Sequence, residues 1–371
     1  MNVRHDTLRL AILAALASSG TVVHAQAAQE EAAERTVRSA LEEVVVTGTR
    51  AQDRTVAESL SPIDVLSASE LETVGSPEVN QALSRLLPSF NFPRPSITDG
   101  TDHVRPAQLR GLAPDQTLVL VNGKRRHTTA IININGSIGR GSSPVDLNAI
   151  PASAIQRIEV LRDGASAQYG SDAIAGVVNI VLKDYDAGAS ADVRYGEHEE
   201  GDGELTDVAG WVGLPLGGDG YFTLSGEYRD RGFTNRSRSD LRQQYPLIDG
   251  ELDPREATFT RVNHRFGDAE TEDSLVFLNG GIPISDSSEL YFFANYSNRE
   301  GESAGFYRRA LDARNVPAVH PDGFLPLIVS EADDIAAVAG LRGVAGEWDW
   351  DLSLNYGGSE FDFNVANSAN V

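Results

Sequence analysis

Histidine and acidic side chains could support catalysis or metal binding in this chain, but their spacing argues against both. The seven histidines include His103, His127, His198 and His264, and none has a metal-binding spacing such as H-x-x-x-H on a helix. No Ser/His/Asp arrangement and no carboxylate pair of defined geometry emerges. The sequence therefore predicts no enzyme, no cofactor and no bound metal.

The glycine-rich segment Arg125–Ser143 is a second feature that could bind a ligand. Its GSIGRGSS core lacks the G-x-x-x-x-G-K-[ST] spacing and the strand–turn–helix context of a phosphate-binding loop. We interpret it as a flexible apical loop. The only compact basic cluster, Lys124–His127, has the character of an ordinary solvated loop.

Charge and cysteine content exclude further classes. The chain has 371 residues, enough for two domains, with a formal net charge of −23. Such an acidic chain is not expected to bind nucleic acid, because phosphate binding needs a basic face. The absence of cysteine excludes disulfides and thiolate metal sites but does not fix the compartment.

The N-terminus has the pattern of a secretory signal. A basic segment ending at Arg9 precedes the apolar run Leu10–Ala17, and small residues follow up to Ala25. This pattern predicts a signal peptide over residues 1–25, removed before Gln26. The apolar run is shorter than the roughly 20 residues of a membrane-spanning helix. Because no later stretch is long and apolar enough to span as a helix, membrane insertion would require a barrel.

Residues Pro62–Lys183 have the pattern of one α+β domain. Ser69 is predicted to cap a short helix at Glu70–Thr73, and a second helix at Asn80–Leu87 ends before Pro88. A further helix is predicted to start at Ala152–Ala154. Strands are predicted at Pro62–Leu66, Thr117–Val121, Gln156–Leu161 and Gly176–Leu182. This irregular order favours a small mixed sheet with helices.

After Ala187 the hydrophobic pattern alternates with a period of two. It predicts strands near Ala189–Tyr195, Thr206–Leu214, Tyr221–Tyr228, Leu275–Ile284, Glu289–Asn298, Ala336–Val344 and Trp348–Tyr356. Aromatic residues near the strand ends, including Trp211, Tyr228, Tyr291 and Trp350, resemble the interfacial girdles of a membrane barrel. Short turns alternate with long polar loops, which is typical of outer-membrane barrels and unexpected for a soluble sandwich.

Four short motifs then suggest a family. Gln108–Gly111 looks like its "IRG" element, and Glu159–Gly164 looks like "EVLRGP" with Asp-Gly replacing Gly-Pro. Tyr169-Gly170 looks like "LYG", and Ala175–Ile180 looks like "GGVINI". Each motif alone is weak. Together with the export signal and the alternating strands, they make nearly the whole chain similar to a TonB-dependent outer-membrane receptor.

The resemblance implies an α+β plug domain followed by an antiparallel transmembrane β-barrel. The expected segments are a signal peptide at 1–25, a flexible periplasmic extension at 26–41, a TonB box at 42–49, a plug at 50–185 and barrel strands at 186–371. Seven strand segments are an odd number, whereas bacterial single-chain barrels have an even number of strands. The barrel of this family has about 22 strands. We therefore expect an incomplete barrel, the N-terminal part of a longer receptor.

The segment Glu42–Thr47, with sequence EEVVVT, is the expected partner-binding strand. Its three valines favour an extended conformation, and a free strand can recruit a partner by β-augmentation. From its residues alone it could equally be an edge strand of the plug. The resemblance implies a TonB box that binds TonB of the TonB–ExbB–ExbD complex. The box residues are Glu43, Val44, Val45, Val46 and Thr47.

The resemblance also implies roles for plug side chains. Arg110 and Arg162 would face barrel glutamates in a buried charge cluster that holds the plug, the alternative being two solvated surface arginines. Plug loops Pro93–Arg105 and Arg125–Ser143 would contact the ligand. The candidate contact residues are Arg94, His103, Arg125, Arg126, His127 and Arg140.

The implied function is active import of a scarce ligand, such as a ferric siderophore, a vitamin or an oligosaccharide, by a protein embedded in outer-membrane lipid. The acidic loops mildly disfavour an anionic ligand. Three alternatives stay open at this point. They are a passive porin-like or remnant barrel, a soluble periplasmic domain, and a receptor that also signals, which the short extension disfavours.

Overall fold

A computed structural model describes residues 62–369. The predicted signal peptide, periplasmic extension and TonB box lie outside this range. The described residues form a small mixed α+β region followed by one large antiparallel sheet. Among these residues, no helix has the length and apolarity that crossing a membrane requires.

The first region, hereafter the plug, is built on a five-stranded sheet. Its strands are β1 (Ile63–Ser67), β4 (Thr117–Val121), β5 (Lys124–Arg125), β6 (Ile155–Leu161) and β7 (Gly176–Leu182), in the order β1-β6-β7-β4-β5. Strands β4 and β7 are parallel, and the other neighbours are antiparallel. The short strands β2 (Phe90–Asn91) and β3 (Gln108–Leu109) pair with each other. The predicted small mixed sheet is confirmed.

Three short helices accompany the plug sheet: α1 (Ala68–Thr73), α2 (Val79–Leu86) and α3 (Ser166–Tyr169). The predicted cap of α1 was wrong, because Ser67 rather than Ser69 caps the helix. The Ser67 hydroxyl accepts a hydrogen bond from the Glu70 amide, and the Glu70 carboxylate accepts one of 2.8 Å from the Ser67 amide. This capping box selects Ser67, since it requires the acidic residue three positions later.

Gly176 shows why one motif glycine is needed. It begins β7 with a φ of 146°, a conformation that side chains rarely adopt. A Cβ at this position would overlap the carbonyl oxygen of Leu161 on β6. The glycine therefore allows β6 and β7 to pair at their close approach.

The second region, hereafter the wall, is a seven-stranded antiparallel sheet, as the alternating pattern predicted. Its strands are β8 (Ala189–Gly196), β9 (Leu205–Leu216), β10 (Gly220–Arg231), β11 (Glu270–Ser285), β12 (Ser288–Ala304), β15 (Leu327–Ala345) and β16 (Trp348–Ala366). Each extends beyond its predicted bounds. Short turns join β9–β10, β11–β12 and β15–β16, whereas residues 197–204, 232–269 and 305–326 form longer connections. The last of these contains the short strands β13 (Arg308–Arg309) and β14 (Gly323–Phe324).

One face of the wall is apolar across neighbouring strands. The register aligns Val212, Leu224, Leu278, Ala294, Ala337 and Tyr356 in one cross-strand row. Rows on either side of it carry Phe222, Phe292, Leu354, Val276, Tyr296 and Ile335. Such a continuous outward band is what lipid contact requires of a barrel strand.

The opposite face of the wall carries the plug. The main apolar core combines plug side chains with Phe277, Tyr291, Phe293 and Val338 of the wall. Two aromatics assigned to the girdle belong here instead: Tyr291 is buried, and the ring of Trp211 packs 4.8 Å from that of Tyr185. Successive residues of a strand point to opposite faces, and both of these aromatics occupy inward-facing positions. The girdle assignment considered only how near they lie to a strand end.

Candidate functional site

The site of interest is the interface between the plug loops and the inward face of the wall. The loop from 131 to 143 is ordered by Asn133, whose amide N–H donates to the Ser142 carbonyl at 2.9 Å. Its side chain donates to the Ile138 carbonyl at 3.0 Å. The loop predicted to be flexible therefore has a defined internal hydrogen-bond pattern.

Two predicted ligand contacts are buried in this interface. Arg126 is 6% exposed and His103 is 4% exposed. The Arg126 guanidinium donates to Asn295 at 2.6 Å and forms an ion pair with Asp334. His103 contacts the Ser330 hydroxyl, and burial lowers the pKa of its imidazole to about 3. Both side chains hold the plug against the wall and do not stand on an open apex.

The other four candidates differ in exposure. Arg94 is partly exposed and lies 2.6 Å from Asp268 of the long connection after β10. Arg125 is exposed and pairs with Asp172 within the plug. His127 lies 2.8 Å from Asp334, next to Arg126, and Arg140 is exposed. The structure thus brings Arg126 and His127 together and leaves Arg140 on the surface.

The two arginines predicted to form the charge latch lie elsewhere. Arg110 is 3.9 Å from Asp163, and Arg162 is 2.5 Å from Asp64; all four residues belong to the plug. Both arginine side chains are about two-fifths exposed. Within residues 62–369 the buried ion pairs between plug and wall are made by other residues, so a latch role for Arg110 and Arg162 stays a prediction.

One buried group of charges centres on Arg299 of β12. Its guanidinium contacts Asp273 of β11 at 2.5 Å and Asp146 of the plug at 2.8 Å. It also donates to the His103 carbonyl at 3.1 Å. Arginine suits such a position because it stays charged and offers several donors. Removing one partner would leave a buried charge without compensation, which is costly.

A second buried group centres on Glu78, just before α2. Its carboxylate lies 2.8 Å from Arg231 of β10, 3.4 Å from Arg105 and 3.8 Å from Arg94. Burial alone would raise the pKa of Glu78, but the charges of Arg105 and Arg231 outweigh it and hold the pKa well below its ordinary value. The Arg105 guanidinium also forms an ion pair with the Asp268 carboxylate at 3.1 Å. Glu78, Arg105 and Asp268 thus form a bridge, hereafter the Arg105 bridge.

Sequence reasoning missed most of these wall residues, although a signal was present. Glu227, Arg229 and Arg231 occupy successive inward positions of β10 and alternate with the outward residues Gly226, Tyr228 and Asp230. The inward face of a membrane barrel is polar and the outward face meets lipid, so charges at alternate positions mark the inward face. The alternation predicted strands, but the charges within it also indicated the plug-binding face.

The long connections after β10 and β12 pack against each other. The Leu311 amide donates to the Gln244 carbonyl at 3.1 Å, and the Tyr245 hydroxyl donates to Asp322 at 3.0 Å. Three Asp-x-Arg clamps order them: Asp240–Arg242, Asp253–Arg255 and Asp312–Arg314. In each, one carboxylate accepts from the arginine amide and from its guanidinium, with guanidinium contacts of 2.7 to 3.2 Å. No group of histidine and acidic residues in the described chain could hold a metal ion.

Known proteins match both regions. Residues 55–177 match the family described as TonB-dependent Receptor Plug Domain. The chain is 34% identical over 173 residues to a probable TonB-dependent siderophore receptor, PirA, of Acinetobacter baumannii, covering 45% of this chain and 22% of that protein. It is 33% identical over 195 residues to the vitamin B12 transporter BtuB of Photobacterium profundum, covering 52% and 29%. The chain thus spans less than a third of the length of these relatives.

The fold is also similar to that of a solved receptor. A crystal structure of a variant of the ferric enterobactin receptor PfeA of Pseudomonas aeruginosa matches with a TM-score of 0.57 at 18% identity, covering 81% of this chain and 41% of that one. At this identity the match shows the fold alone. Residues 55–177 are therefore a TonB-dependent receptor plug domain, and the strands that follow have the fold of the barrel wall in such receptors.

Proposed function

We propose that this protein takes part in active import of a scarce ligand across the outer membrane, driven by TonB. The observation that carries the proposal is the plug itself, which packs on the inward face of a sheet whose outward face is an apolar band. A plain pore has no use for a domain fixed inside it by buried ion pairs. The matched family and relatives are named as receptors and transporters.

The ligand class follows from the relatives only in outline. Their names include a siderophore receptor, a ferric enterobactin receptor and a vitamin B12 transporter. We propose a ferric siderophore or a comparable large, scarce nutrient. Its first contacts would be the exposed plug residue Arg140 and the clamped connections after β10 and β12, hereafter the outer connections. The buried residues His103 and Arg126 would not contact the ligand directly. Ligand binding would affect them through changes at the plug–wall interface.

The partner at the opposite end would be TonB, pairing with Glu43–Thr47. This segment lies outside the described residues, so the proposal rests on its sequence. Val45→Pro removes a backbone N–H and disfavours strand pairing. It should abolish uptake while leaving ligand binding to whole cells unchanged. Ala33→Pro, in the predicted extension, is the matched control and should import normally.

The experiment uses the full native receptor in its own outer membrane. Radiolabelled ferric enterobactin and cobalamin are the probes, with and without a protonophore. Uptake that depends on the receptor and stops with the protonophore supports TonB-driven import. Uptake that continues with the protonophore, or in Val45→Pro, would instead indicate a passive porin-like barrel.

A further inference from the structure

Asp102 is a buried carboxyl that the plug–wall contacts leave without a partner. It is 1% exposed, and neither of its oxygens makes a hydrogen bond of good geometry within residues 62–369. The Ser303 hydroxyl and the Thr98 amide are its polar neighbours. Burying an ionised carboxylate without a partner is costly. The Asp102 carboxyl must therefore be neutral, or it must ionise only when a positive charge comes to pair with it.

One end of the Arg105 bridge, Asp268, lies beside this carboxyl. Asp102 and Asp268 line the same cavity of about 10 Å³, which is at the lower limit for one water molecule. The Arg105 charge acts on the Asp102 carboxyl. The Arg105 side chain is 2% exposed, and its contact of 3.1 Å with Asp268 is an ion pair without a well-aligned hydrogen bond.

We propose that Asp102 is the alternative partner of Arg105, so that Arg105 can exchange Asp268 for Asp102 when the connection after β10 moves away from the plug. Asp268 and Gly267 belong to that connection, and Ser96 holds it to the plug through hydrogen bonds of 2.9 and 3.0 Å with Gly267. The exchange keeps a second carboxylate beside Arg105, in addition to Glu78. It makes the interface a two-state element that movement of the outer connection can bias.

The exchange releases one proton from Asp102 to solvent. Burial raises the pKa of Asp102 in the resting arrangement, and pairing with Arg105 would lower it. The exchanged arrangement is therefore favoured as pH rises and lost as pH falls. The charged and titratable groups that face this carboxyl from the packed elements are Arg105, Arg265, Asp268 and Glu302. The idea that ligand binding drives this exchange rests on the proposed function. The exchange of Asp268 for Asp102 as partner of Arg105 does not.

The test is a double-mutant cycle on the full receptor in detergent micelles, read by hydrogen exchange of residues 93–105. Asp102→Asn should change protection little, because it replaces a neutral group with one of the same shape. Asp268→Asn should reduce protection modestly, because Arg105 turns to Asp102. The double variant should lose about tenfold or more beyond the product of the two single effects, because Arg105 then keeps only its 3.4 Å contact with Glu78. Additive effects, or a single Asp102→Asn as damaging as Asp268→Asn, would overturn the proposal.

A matched control and a pH series complete the test. Asp322→Asn, in the other outer connection, should be additive with Asp102→Asn. In Asp268→Asn alone, protection corrected for intrinsic exchange should fall by about tenfold as pH drops and Asp102 takes up its proton, since one proton gives at most tenfold per pH unit. A flat profile would overturn the proposal even if the double variant fails to assemble. Absence of uptake by the unmodified receptor, with this cycle intact, would count against import and not against the switch.

Discussion

The ion pair between Arg126 and Asp334 offers the sharpest test of how the plug is held. Asp334→Asn keeps the shape of the side chain and removes its charge. The Arg126 guanidinium would remain buried, keeping its 2.6 Å hydrogen bond to Asn295 but losing its ion pair with Asp334. Breaking a buried pair from one side costs about 3 to 5 kcal/mol. Because the asparagine can still accept a hydrogen bond, we expect about 3 kcal/mol, or about a hundredfold.

Hydrogen exchange of residues 117–131 in the purified receptor measures this loss directly, since it reports separation of β4 and β5 from the wall. Asp333→Asn is the matched control. Its carboxylate faces the other side of β15 and accepts from the Tyr296 hydroxyl at 2.6 Å. It should cost about tenfold or less, as expected of a partly exposed contact. Equal effects of the two variants would refute the reasoning.

A compensating variant separates charge from packing. Replacing both Arg126 and Asp334 with leucine removes the buried charges together. Such exchanges for apolar residues are often neutral or stabilising. The double leucine variant should therefore recover most of the protection that Asp334→Asn loses.

Three further changes test the plug and the wall. Gly176→Ala should destabilise the plug by about 1 to 3 kcal/mol, because it adds strain at a positive φ and a clash with Leu161; thermal unfolding measures it. Leu278→Arg should reduce assembly into bilayers by about 2 to 4 kcal/mol, because it places a charge within the apolar band. Ser67→Ala should cost about 1 kcal/mol of plug stability in urea unfolding, because it removes the cap of α1.

Each of these has a neighbouring control. Gly123→Ala shares a positive φ of 75° but meets no atom within 4 Å, so it should cost less than Gly176→Ala. Asp230→Arg, outside the apolar band, should assemble normally. Ser69→Ala should leave stability unchanged if Ser67 is the cap. A larger effect at any control than at its partner would contradict the corresponding assignment.

Much of the wall could be predicted from the sequence because alternation is a local signal. Seven strands and their connections follow from residues two positions apart, as at Leu275–Ile284. The strand ends were missed because charged inward residues such as Asp273 and Arg299 interrupt the alternating apolar pattern. Those charges are buried only because the plug covers them, and no local pattern shows the covering domain.

The site was harder to predict because its contacts join distant residues. Arg126 meets Asp334 across more than two hundred positions of chain. Arg110 was selected because it lies in a family-like motif, yet its backbone has a φ of 57° and its side chain points to Asp163 within the plug. A motif indicates that a residue type belongs at a turn. It does not indicate which side of the turn faces the wall.

Under the proposed function, the Asp-x-Arg clamps would affect how selectively the outer connections capture a ligand. Each clamp fixes an arginine two residues after its aspartate, so the segment is ordered before any ligand arrives. Ordering a long side chain on binding costs about 0.5 to 1.5 kcal/mol, and a clamped arginine has already lost that freedom. Under the proposed function, the connections would therefore discriminate by shape at first encounter, and a mismatched molecule would gain little from their rearrangement.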